Sequence, residues 1–333
     1  MRPALSVSVL EQSGVGEARR AAAALGLAQG LSPSRLSDLA IVVTELASNL
    51  VKHTPSGGTM LLGAAFPGTV EITTFDRGPG IVRMGDVMRD GYSTAGSAGT
   101  GLGAVSRLSD DFDLTTTQGV GSVIYARLSE HGHGVSQPVP AFDIGAVQTC
   151  YPGEVVCGDD WAFSSSQTLL RVALTDGLGH GLHAHEAART ASRTFEGSGH
   201  LQPVETLSAI HLALRGTRGA VGVVASIDTE TGLLQFAGVG NVAGTVLDTS
   251  DRRGLVSHNG TLGQEVRRIQ GQELPWTETS VLALHTDGLS NHWDLAATPG
   301  LLRRRAAVIA GVLYRDQLRG RDDATVVVIK RQT

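Results

Sequence analysis

Two short stretches of the sequence end an apolar run with Thr-Asp-Gly-Leu. In "LLRVALTDGLGHG", residues 169–181, the run ends at Asp176, and glycine occupies three of the next five positions. In "VLALHTDGLSN", residues 281–291, it ends at Asp287 and one glycine follows. A strand that ends on aspartate holds the carboxylate at the rim of a core, and Mg²⁺ and Mn²⁺ prefer carboxylate, carbonyl and water oxygens. The two stretches therefore predict a divalent metal site.

Two further acidic stretches lie beside apolar runs and extend this prediction. They are "CGDDW" at 157–161 and "GRDDATVVVIK" at 320–330, where two aspartates precede a valine-rich segment. Aspartate is also common in turns, which is the alternative interpretation of each stretch taken alone. Four acidic sites beside buried strands instead favour a cluster that holds two metal ions and activates water for attack on phosphorus.

Three ordered motifs in the first half are typical of a nucleotide site. Glu45, Asn49 and His53 follow at intervals of four, which places them on one face of a helix. "FDRGPGI" puts Asp76 at a strand end before two glycines, and "GSAGTGLGAV" at 96–105 is a glycine-rich loop that leads into a helix. Backbone N–H groups of such a loop approach phosphate oxygens, and the helix N-terminus adds positive potential. A solvated polar face explains the first motif alone, but not all three in order.

The elements that would position these residues form an α+β layer. Ser32 followed by Pro33 predicts a helix start. Apolar residues then recur at helical spacing, at positions 36, 39, 43, 46 and 50. The segments "TMLLGAAF" and "TVEITTFD" are joined through a Pro-Gly pair, and "FDLTTT" and "SVIYARL" through a Gln-Gly pair. Each pair of segments predicts a hairpin.

Short strands outnumber helices in the second half of the chain. The hydrophobic patterns predict helices over 183–196, 203–215 and 301–318. The predicted strands are 143–148, 168–175, 220–227, 233–238, 242–247, 280–286 and 324–330.

Length and composition indicate a globular protein of two domains. The chain has 333 residues, of which 41% are hydrophobic and 18% charged. We expect domains at residues 1–130 and 141–333, joined by a linker at 131–140 that lacks hydrophobic periodicity. The net charge is −5, with no basic face, so we expect no nucleic-acid partner. No apolar run is long enough for a signal peptide or a membrane span, so we expect a cytoplasmic protein without membrane association.

The chain has two cysteines, Cys150 and Cys157. Their spacing fits neither a disulfide framework nor a metal knuckle. We therefore expect buried free thiols.

The three motifs of the first half resemble the sequence boxes of a known ATPase family. "ELASNLVKH", "DRGPGI" and "GTGLGAV" look like the N, G1 and G2 boxes of the GHKL (Bergerat-fold) ATPases. Within that group, "RDGYSTAGSAGTGLGAVSRLSDDFDL" followed by "GVGS" is most similar to the small anti-sigma-factor switch kinases of the stressosome. The resemblance spans most of residues 10–128 and implies an α/β sandwich that binds ATP or ADP with Mg²⁺.

The same resemblance implies a role for each matched residue. Glu45 would be the catalytic base that takes the proton from an attacking hydroxyl. Asn49 would hold the Mg²⁺ of the nucleotide, and Asp76 would accept the adenine amino hydrogen. The glycines that would let the backbone close over the nucleotide are Gly78, Gly80, Gly99, Gly101 and Gly103.

The acidic stretches of the second half resemble a phosphatase family. The ordered set "GD", "DGLGHG", "TDG" and "DDAT" is similar to the metal-dependent protein phosphatases of type 2C, in their SpoIIE-like bacterial branch. "FAGVGNVAG" and "NGTLG" also look like that branch, particularly its short stressosome feedback phosphatase. The resemblance covers roughly residues 141–330 and implies a β-sandwich flanked by helices.

This second resemblance assigns the metal ligands. Asp176, the central catalytic residue, would bridge two Mn²⁺ or Mg²⁺ ions, and Gly177 would offer its carbonyl. Asp287 and Asp322 would complete the shell of one ion, and Asp159 would hold the other.

Four neighbouring residues are expected outside the metal shell. Asp160 and Asp323 would support the ligands without contacting the metal ions themselves. Cys157 replaces the glycine that is usual before the Gly-Asp of the first motif, and we expect this change to be harmless. His180 would either protonate a leaving group or shape the turn. No arginine is matched to the phosphate-binding residue of the eukaryotic enzymes.

Together the two resemblances predict a bifunctional signalling protein. An ATP-dependent serine/threonine kinase would be joined to an opposing phosphoserine and phosphothreonine phosphatase, and both would act on small STAS-domain proteins of the anti-sigma antagonist or stressosome type. Two alternatives remain for the first domain. It would be a nucleotide-dependent binding module, with a sigma factor as a possible partner, or a pseudo-kinase whose nucleotide gates the phosphatase.

Overall fold

The computed structural model describes residues 3–81, 101–130, 141–248, 251–293 and 298–332. The predicted linker and Gly99 lie outside these ranges. The chain forms two compact units. Within the described residues, the N-terminal unit comprises 3–81, 101–130 and 298–315, and the C-terminal unit comprises 141–248, 251–293 and 316–332. Both units combine helices and sheet, which confirms the predicted α+β class. No described helix has the length and apolar character that a membrane span needs.

Helices of the N-terminal unit begin and end where local signals place them. The Ser32 hydroxyl accepts a hydrogen bond from Arg35 N at 3.4 Å, and Pro33 occupies the first helical position, as the sequence predicts. The helices of this part are α1 Gln12–Ala28, α2 Pro33–His53 and α3 Gly101–Leu108.

One antiparallel sheet of five strands forms the centre of the N-terminal unit. Its strand order is β1-β2-β3-β5-β4, and both predicted hairpins, β2–β3 and β4–β5, are present. The strands are β1 Leu5–Val9, β2 Gly58–Gly63, β3 Thr69–Asp76, β4 Asp111–Thr117 and β5 Gly121–Ser129.

The alternation of side chains along the strands gives the sheet two different faces. Ile72 and Ile124 belong to a hydrophobic core shared with the three helices, which includes the α2 residues Leu39, Val43 and Leu46. Their strand neighbours Thr73 and Val123 face the other side. One face of the sheet is therefore covered by α1, α2 and α3.

The other face is covered by the segment 298–315, which lies between two strands of the C-terminal unit in the sequence. This segment contains a 3₁₀ turn, Leu301–Arg303, and most of helix α6, Ala306–Gln317. A Cβ added to Gly311 would lie 2.8 Å from Val123 Cγ1 and 3.2 Å from Thr73 Cγ2. The backbone of α6 thus passes directly over the sheet, at a distance that only glycine allows.

Aromatic and charged contacts hold the same segment against the sheet. The rings of Phe75 and Tyr314 meet edge to face, with their centroids 5.6 Å apart. Asp113 accepts hydrogen bonds from Arg305 N at 2.7 Å and from Arg304 Nη1 at 3.2 Å. The Arg305 guanidinium also pairs with Asp111 of β4, which pairs in turn with Arg127 of β5.

The C-terminal unit is built on two antiparallel sheets of five strands each. One sheet has the order β13-β10-β9-β8-β7 and the other β12-β11-β14-β15-β6. Their strands are β6 Phe142–Thr149, β7 Asp159–Ser165, β8 Leu169–Gly177, β9 Ala220–Asp228, β10 Leu233–Val239, β11 Ala243–Leu247, β12 Arg252–Leu255, β13 Gly271–Pro275, β14 Val281–His285 and β15 Ala324–Arg331.

Two helices pack on the first of these sheets. They are α4 Leu182–Glu196, against β7 and β8, and α5 Pro203–Ala213, against β9 and β10. Phe195, Leu207 and Ile210 from these helices fill a core with the apolar side chains of the strands. The seven strands predicted from the pattern are all present, with ends that differ by one or two residues. The structure adds β1, β7, β12 and β13, which the pattern does not predict.

Candidate functional sites

The predicted metal ligands of the C-terminal unit lie at neighbouring strand ends. β7 pairs with β8 so that Asp159 stands opposite Asp176. Asp287 follows β14, and Asp322 and its neighbour Asp323 precede β15, which pairs with β14. Asp159, Asp287 and Asp322 each interact electrostatically with Asp176. The four aspartates named as ligands are thus brought to one place.

Asp159 is held by hydroxyl and amide groups from other strands. Its side chain is 2% exposed, and Oδ2 accepts a hydrogen bond from Thr286 Oγ1 at 2.8 Å. Its backbone carbonyl accepts one from Gln148 Nε2 at 2.7 Å. Among the described residues, Oδ1 has no hydrogen-bond partner although it is buried. A buried carboxylate oxygen without a partner is costly unless another ligand occupies the position.

Burial and like charge favour the protonated forms of these carboxyl groups when no cation is present. Burial, with a smaller contribution from the charges of Asp323 and Asp322, raises the pKa of Asp159 to about 8, although the hydrogen bond from Thr286 lowers it. Burial raises the pKa of Asp176 to about 9, with added repulsion from Asp159, Asp287 and Asp322. A cluster that resists ionisation in this way is suited to a divalent cation, which supplies the missing positive charge.

Asp287 and Asp322 have their own positioning contacts. Asn241 Nδ2 donates to Asp287 Oδ2 at 2.7 Å, and burial raises the pKa of Asp287. Asp322 Oδ1 accepts a hydrogen bond from Asp323 N at 2.9 Å. A Cβ added to Gly288 would lie 2.1 Å from Asp323 O, so glycine is what lets these two turns approach.

Asp160 lies outside the cluster because consecutive residues of a strand face opposite sides. It is 1% exposed, and Arg189 Nη1 of α4 lies 3.1 Å from its Oδ2. Its side-chain contact with Arg189 lies on the far face of β7 from Asp159, so a supporting role behind the ligands stays a prediction.

The glycine-rich turn after Asp176 brings α4 close to the cluster. Gly177 has no space for a side chain, since a Cβ there would lie 2.1 Å from Ala184 O. His180 stacks on Tyr151 with ring centroids 4.4 Å apart, and its Nδ1 lies 2.9 Å from Glu154 Oε1. These contacts support the turn-shaping role among the two roles considered for His180.

The donor set fits hard cations. Four of the five predicted ligands are carboxylates at four different strand ends, and the fifth is the carbonyl of Gly177. Among the described residues, the set whose ligand atoms all lie within 4.8 Å of one another is a different one, Cys150, Cys157 and Asp323. In the part of the chain that the structure describes, neither the four aspartates nor the three assigned to one ion form such a set, so their ligand atoms do not all lie within that distance.

Three positioning residues were not predicted as part of the site: Thr286, Asn241 and Gln148. Thr286 belongs to the "TDG" motif and Asn241 to "FAGVGNVAG", so both lie in segments that the sequence singles out. Their roles depend on pairing between strands that are far apart in the sequence.

On the N-terminal unit, the three predicted motifs lie on elements that touch. Glu45 and Asn49 are half-buried on α2, and His53 is exposed at its last turn. α2 packs against both β3 and α3. Thr54, just after α2, lies beside the turn that follows β3, because a Cβ added to Gly78 would be 3.0 Å from Thr54 Cγ2.

The turn after β3 fixes the carboxyl group of Asp76. Its Oδ1 accepts a hydrogen bond from Gly78 N at 2.7 Å. Burial raises the pKa of Asp76, while hydrogen bonds from backbone N–H groups and the charge of Arg315 lower it. Gly80 has a φ of +76°, in the left-handed region that favours glycine.

The described part of the glycine-rich loop begins at α3. Gly101 is the first residue of this helix, and Gly103 is buried within it. Gly99 and the rest of the loop lie outside the described residues.

Comparison with known proteins identifies both halves of the chain. Residues 9–128 match the family model described as histidine kinase-like ATPase domain, and residues 166–332 match the one described as stage II sporulation protein E (SpoIIE). The serine/threonine-protein kinase RsbT of Bacillus subtilis (strain 168) is 38% identical over 86 residues, which are 25% of this chain and 65% of RsbT. This chain thus spans slightly less than two thirds of RsbT. The phosphoserine phosphatase RsbX of the same organism is 24% identical over 139 residues, which are 41% of this chain and 70% of RsbX.

Two solved structures share the fold. One comes from work on the bacterial stressosome as a modular system adapted to control secondary messenger signalling. It has a TM-score of 0.53 and 28% identity, and the match covers 57% of this chain and 99% of that one. RsbX in complex with magnesium has a TM-score of 0.52 and 20% identity, over 60% of this chain and 99% of that one, and so shows the fold alone. The SpoIIE match covers half of the residues, so the chain belongs to the SpoIIE family and joins a type 2C phosphatase domain of that family to an RsbT-like histidine kinase-like ATPase domain.

Proposed function

We propose that this chain is a bifunctional regulator that phosphorylates and dephosphorylates serine or threonine residues of STAS-domain proteins. The observation that carries the proposal is the buried carboxylate cluster around Asp176, joined in one chain to an ordered set of nucleotide motifs. The two relatives with similar sequences are named as a serine/threonine kinase and a phosphoserine phosphatase. Two opposite reactions of this kind would act on one substrate class.

In the phosphatase reaction, the aspartates would hold two Mn²⁺ or Mg²⁺ ions. Asp176 would contact both, Asp159 one, and Asp287 and Asp322 the other, with the carbonyl of Gly177 as a further ligand. The bound cations would supply a water of lowered pKa and neutralise charge on the phosphoryl group. The task of the protein is to hold the carboxylates in place, and Thr286 and Asn241 donate the hydrogen bonds that do so.

Two arginines lie near the turns that carry Asp176 and Asp287. A Cβ added to Gly179 would be 3.0 Å from Arg218 Nη1, so this guanidinium reaches the turn after Asp176. Arg319 N donates a hydrogen bond of 2.9 Å to Gly288 O, next to Asp287, and the charge of Arg319 lowers the pKa of Asp287. Both side chains are exposed. They would attract the phosphate dianion and orient it towards the cluster.

In the kinase reaction, Glu45 would take the proton from the substrate hydroxyl. Asn49, one turn further along α2, would hold the Mg²⁺ that accompanies ATP. Asp76 would accept the adenine amino hydrogen, and the glycines after β3 and at the start of α3 would leave room for the nucleotide. Gly99 belongs to this set by its position in the motif.

The experiment uses the full-length chain, labelled ATP and a purified STAS-domain protein, with either Mg²⁺ or Mn²⁺. With Asp176→Asn, which keeps the kinase motifs, labelled phosphoprotein should accumulate because hydrolysis is blocked. With Glu45→Ala, no label should be transferred, whereas a phosphoserine protein supplied in advance should still be dephosphorylated.

Two outcomes would contradict parts of the proposal. If Asp176→Asn transfers no label to any STAS-domain protein but still binds nucleotide, the first domain is a binding module. If Asp176→Asn releases phosphate at the wild-type rate, the carboxylate cluster is not the hydrolytic site.

A further inference from the structure

A second group of metal-ligating atoms lies next to the aspartate cluster but differs from it in chemistry. The Sγ atoms of Cys150 and Cys157 and a carboxylate oxygen of Asp323 all lie within 4.8 Å of one another. Cys157 and Asp323 are buried, and Cys150 is partly exposed. The cysteine spacing alone does not suggest such a site, because the third group comes from the other end of the domain.

Strand pairing explains how the three residues meet. β6 and β15 pair with Thr149 opposite Ala324. Cys150 follows Thr149 and Asp323 precedes Ala324, so the two residues continue the same antiparallel pair. Tyr151 N donates a hydrogen bond of 2.8 Å to Asp323 Oδ1, which fixes the carboxyl group.

The loop that starts at Cys150 returns to the same place at Cys157. The Cys157 thiol contacts Thr149 O at 3.5 Å, and a hydrogen bond also links the two thiols. Both sulfur atoms therefore lie at the end of β6, on the side where Asp323 stands.

One oxygen of Asp323 is left for a ligand. Its Oδ2 is buried and has no hydrogen-bond partner among the described residues, although Asp323 is only 3% exposed. A Cβ added to Gly158 would lie 2.7 Å from this oxygen, so glycine leaves space for it beside Cys157. A buried carboxylate oxygen of this kind needs a donor or a cation.

We propose that Cys150, Cys157 and Asp323 form a binding site for one thiophilic divalent cation of the Zn²⁺ class. Zn²⁺ binds cysteine sulfur at about 2.3 Å and carboxylate oxygen at about 2.0–2.2 Å, so ligand atoms of one tetrahedral site lie about 3.5–4 Å apart. The observed separations fall within reach of that arrangement after small side-chain movements. The two thiol protons pass to solvent on binding, and a water molecule completes the fourth position.

The donor atoms distinguish this site from the proposed catalytic cluster. Mg²⁺ and Mn²⁺ prefer oxygen ligands, whereas thiolates select Zn²⁺, Cd²⁺ and Co²⁺. A cation held here would tie the end of β6 to the start of β15, directly beside Asp159 and Asp322. The proposal does not depend on phosphatase or kinase activity.

The test is Co²⁺ titration of the reduced full-length protein, with excess Mg²⁺ present to occupy the oxygen sites. We expect one equivalent of Co²⁺ to produce a thiolate-to-cobalt charge-transfer band in the near ultraviolet, and one equivalent of Zn²⁺ to abolish it. Cys150→Ser should lose the band, and this variant should fold because Cys150 is partly exposed. Cys157→Ser provides the second test, with folding checked by circular dichroism. Asp176→Asn, which alters only the oxygen cluster, should keep the band.

Three results would overturn the proposal. The first is the absence of a band while both thiols of the reduced protein react with a thiol reagent. The second is a band that persists in Cys150→Ser and Cys157→Ser. The third is a pair of thiols that a thiol reagent detects in the denatured protein only after reduction, because Cys150 and Cys157 would then form a disulfide.

Discussion

The hydroxyl group of Thr286 donates a hydrogen bond of 2.8 Å to Asp159 Oδ2, across two strands that are far apart in the sequence. The same hydroxyl accepts a hydrogen bond from Thr325 N at 3.0 Å, which fixes the direction of its proton. Thr286, which is fully buried, therefore positions a proposed metal ligand from within the domain. Mutation of a residue that orients a metal ligand commonly lowers metal affinity or activity by about 10–100-fold.

Replacing Thr286 with valine should weaken the metal site and preserve the fold. Valine has nearly the same shape but leaves Asp159 Oδ2 without its donor. We expect Thr286→Val to lower metal affinity or phosphatase activity by about 10–100-fold. Hydrolysis of a phosphoserine protein at increasing Mn²⁺ measures both. Thr286→Ser keeps the hydroxyl and should recover most of the activity; equal loss in both variants would show that the methyl group, not the hydrogen bond, matters.

The stability of the C-terminal unit should depend on pH and cations together. Without cations the pKa values of Asp159 and Asp176 are about 8 and 9, whereas unfolded aspartate has a pKa of about 3.9. Because the pKa values are higher in the folded state, proton binding by the two carboxyl groups stabilises the folded state. This contribution is complete below about pH 4 and is lost as the pH rises through 8 to 9. The melting temperature of the cation-free protein should therefore fall between about pH 5 and pH 9.

Saturating Mg²⁺ or Mn²⁺ should reverse that fall, because the cations stabilise the ionised carboxylates. At a cation concentration of about 100 times Kd the gain is about 2.7 kcal/mol, or about 5–10 °C in Tm for a domain of this size. Calorimetry with a chelator and then with excess Mg²⁺ measures the effect at several pH values. Asp176→Asn should remove the share of the pH dependence that comes from Asp176 and leave the share that comes from Asp159. A wild-type Tm that ignores both pH and Mg²⁺ would contradict the proposed cluster.

Adenine recognition should depend on the carboxylate of Asp76. Asp76→Asn keeps an oxygen that can accept the hydrogen bond from Gly78 N, so the turn should survive. It removes the charge and offers an amide to the adenine amino group. Hydrogen bonds to charged groups contribute about 1.5–3 kcal/mol, so ATP and ADP should bind about 10–100-fold more weakly. Calorimetry compares the variant with wild type; undiminished affinity would exclude Asp76 as the adenine acceptor.

The contacts of Arg305 should contribute to the stability of the N-terminal unit. Its guanidinium pairs with Asp111, and its backbone N–H donates to Asp113. Arg305→Ala should destabilise that unit by about 1–3 kcal/mol, as expected for a charged hydrogen bond that is largely buried. Arg253→Ala is the matched control, since Arg253 pairs with Asp251 at the surface and exposed pairs contribute about 0–1 kcal/mol. Thermal unfolding that changes equally in both variants would show that the Arg305 contacts are dispensable.

Features encoded in a few adjacent residues could be predicted from the sequence. The Ser32 cap, the two hairpins and the acid-ended strands depend on local spacing, and the structure contains all of them. Helix α1 was not predicted because its buried face consists of small residues, among them Gly14, Ala18 and Ala22. Strands β12 and β13 are mostly exposed, so their sequences lack the alternation of apolar and polar residues that predicts a strand.

Contacts between distant segments could not be predicted in this way. Thr286 donates to Asp159 only because β14, β15 and β7 end near one another. The group formed by Cys150, Cys157 and Asp323 likewise depends on the pairing of β6 with β15. A pattern along the chain identifies which residues can do chemistry, but tertiary pairing decides which of them do it together.

The placement of segment 298–315 on the N-terminal sheet limits how this protein can be divided or recombined. The chain belongs to the C-terminal unit from residue 141, returns to the N-terminal unit for 298–315, and then supplies its final strand to the C-terminal unit. A gene cut at the predicted linker would therefore yield an ATPase fragment whose β3 and β5 side chains, including Phe75 and Val123, have lost their cover. Exchange of ATPase halves between related fusions would preserve packing only if Gly311 and its neighbours were transferred too. The nucleotide motifs of the ATPase domain lie in one continuous segment, but the folded unit also needs residues 298–315, so both segments must be transferred together.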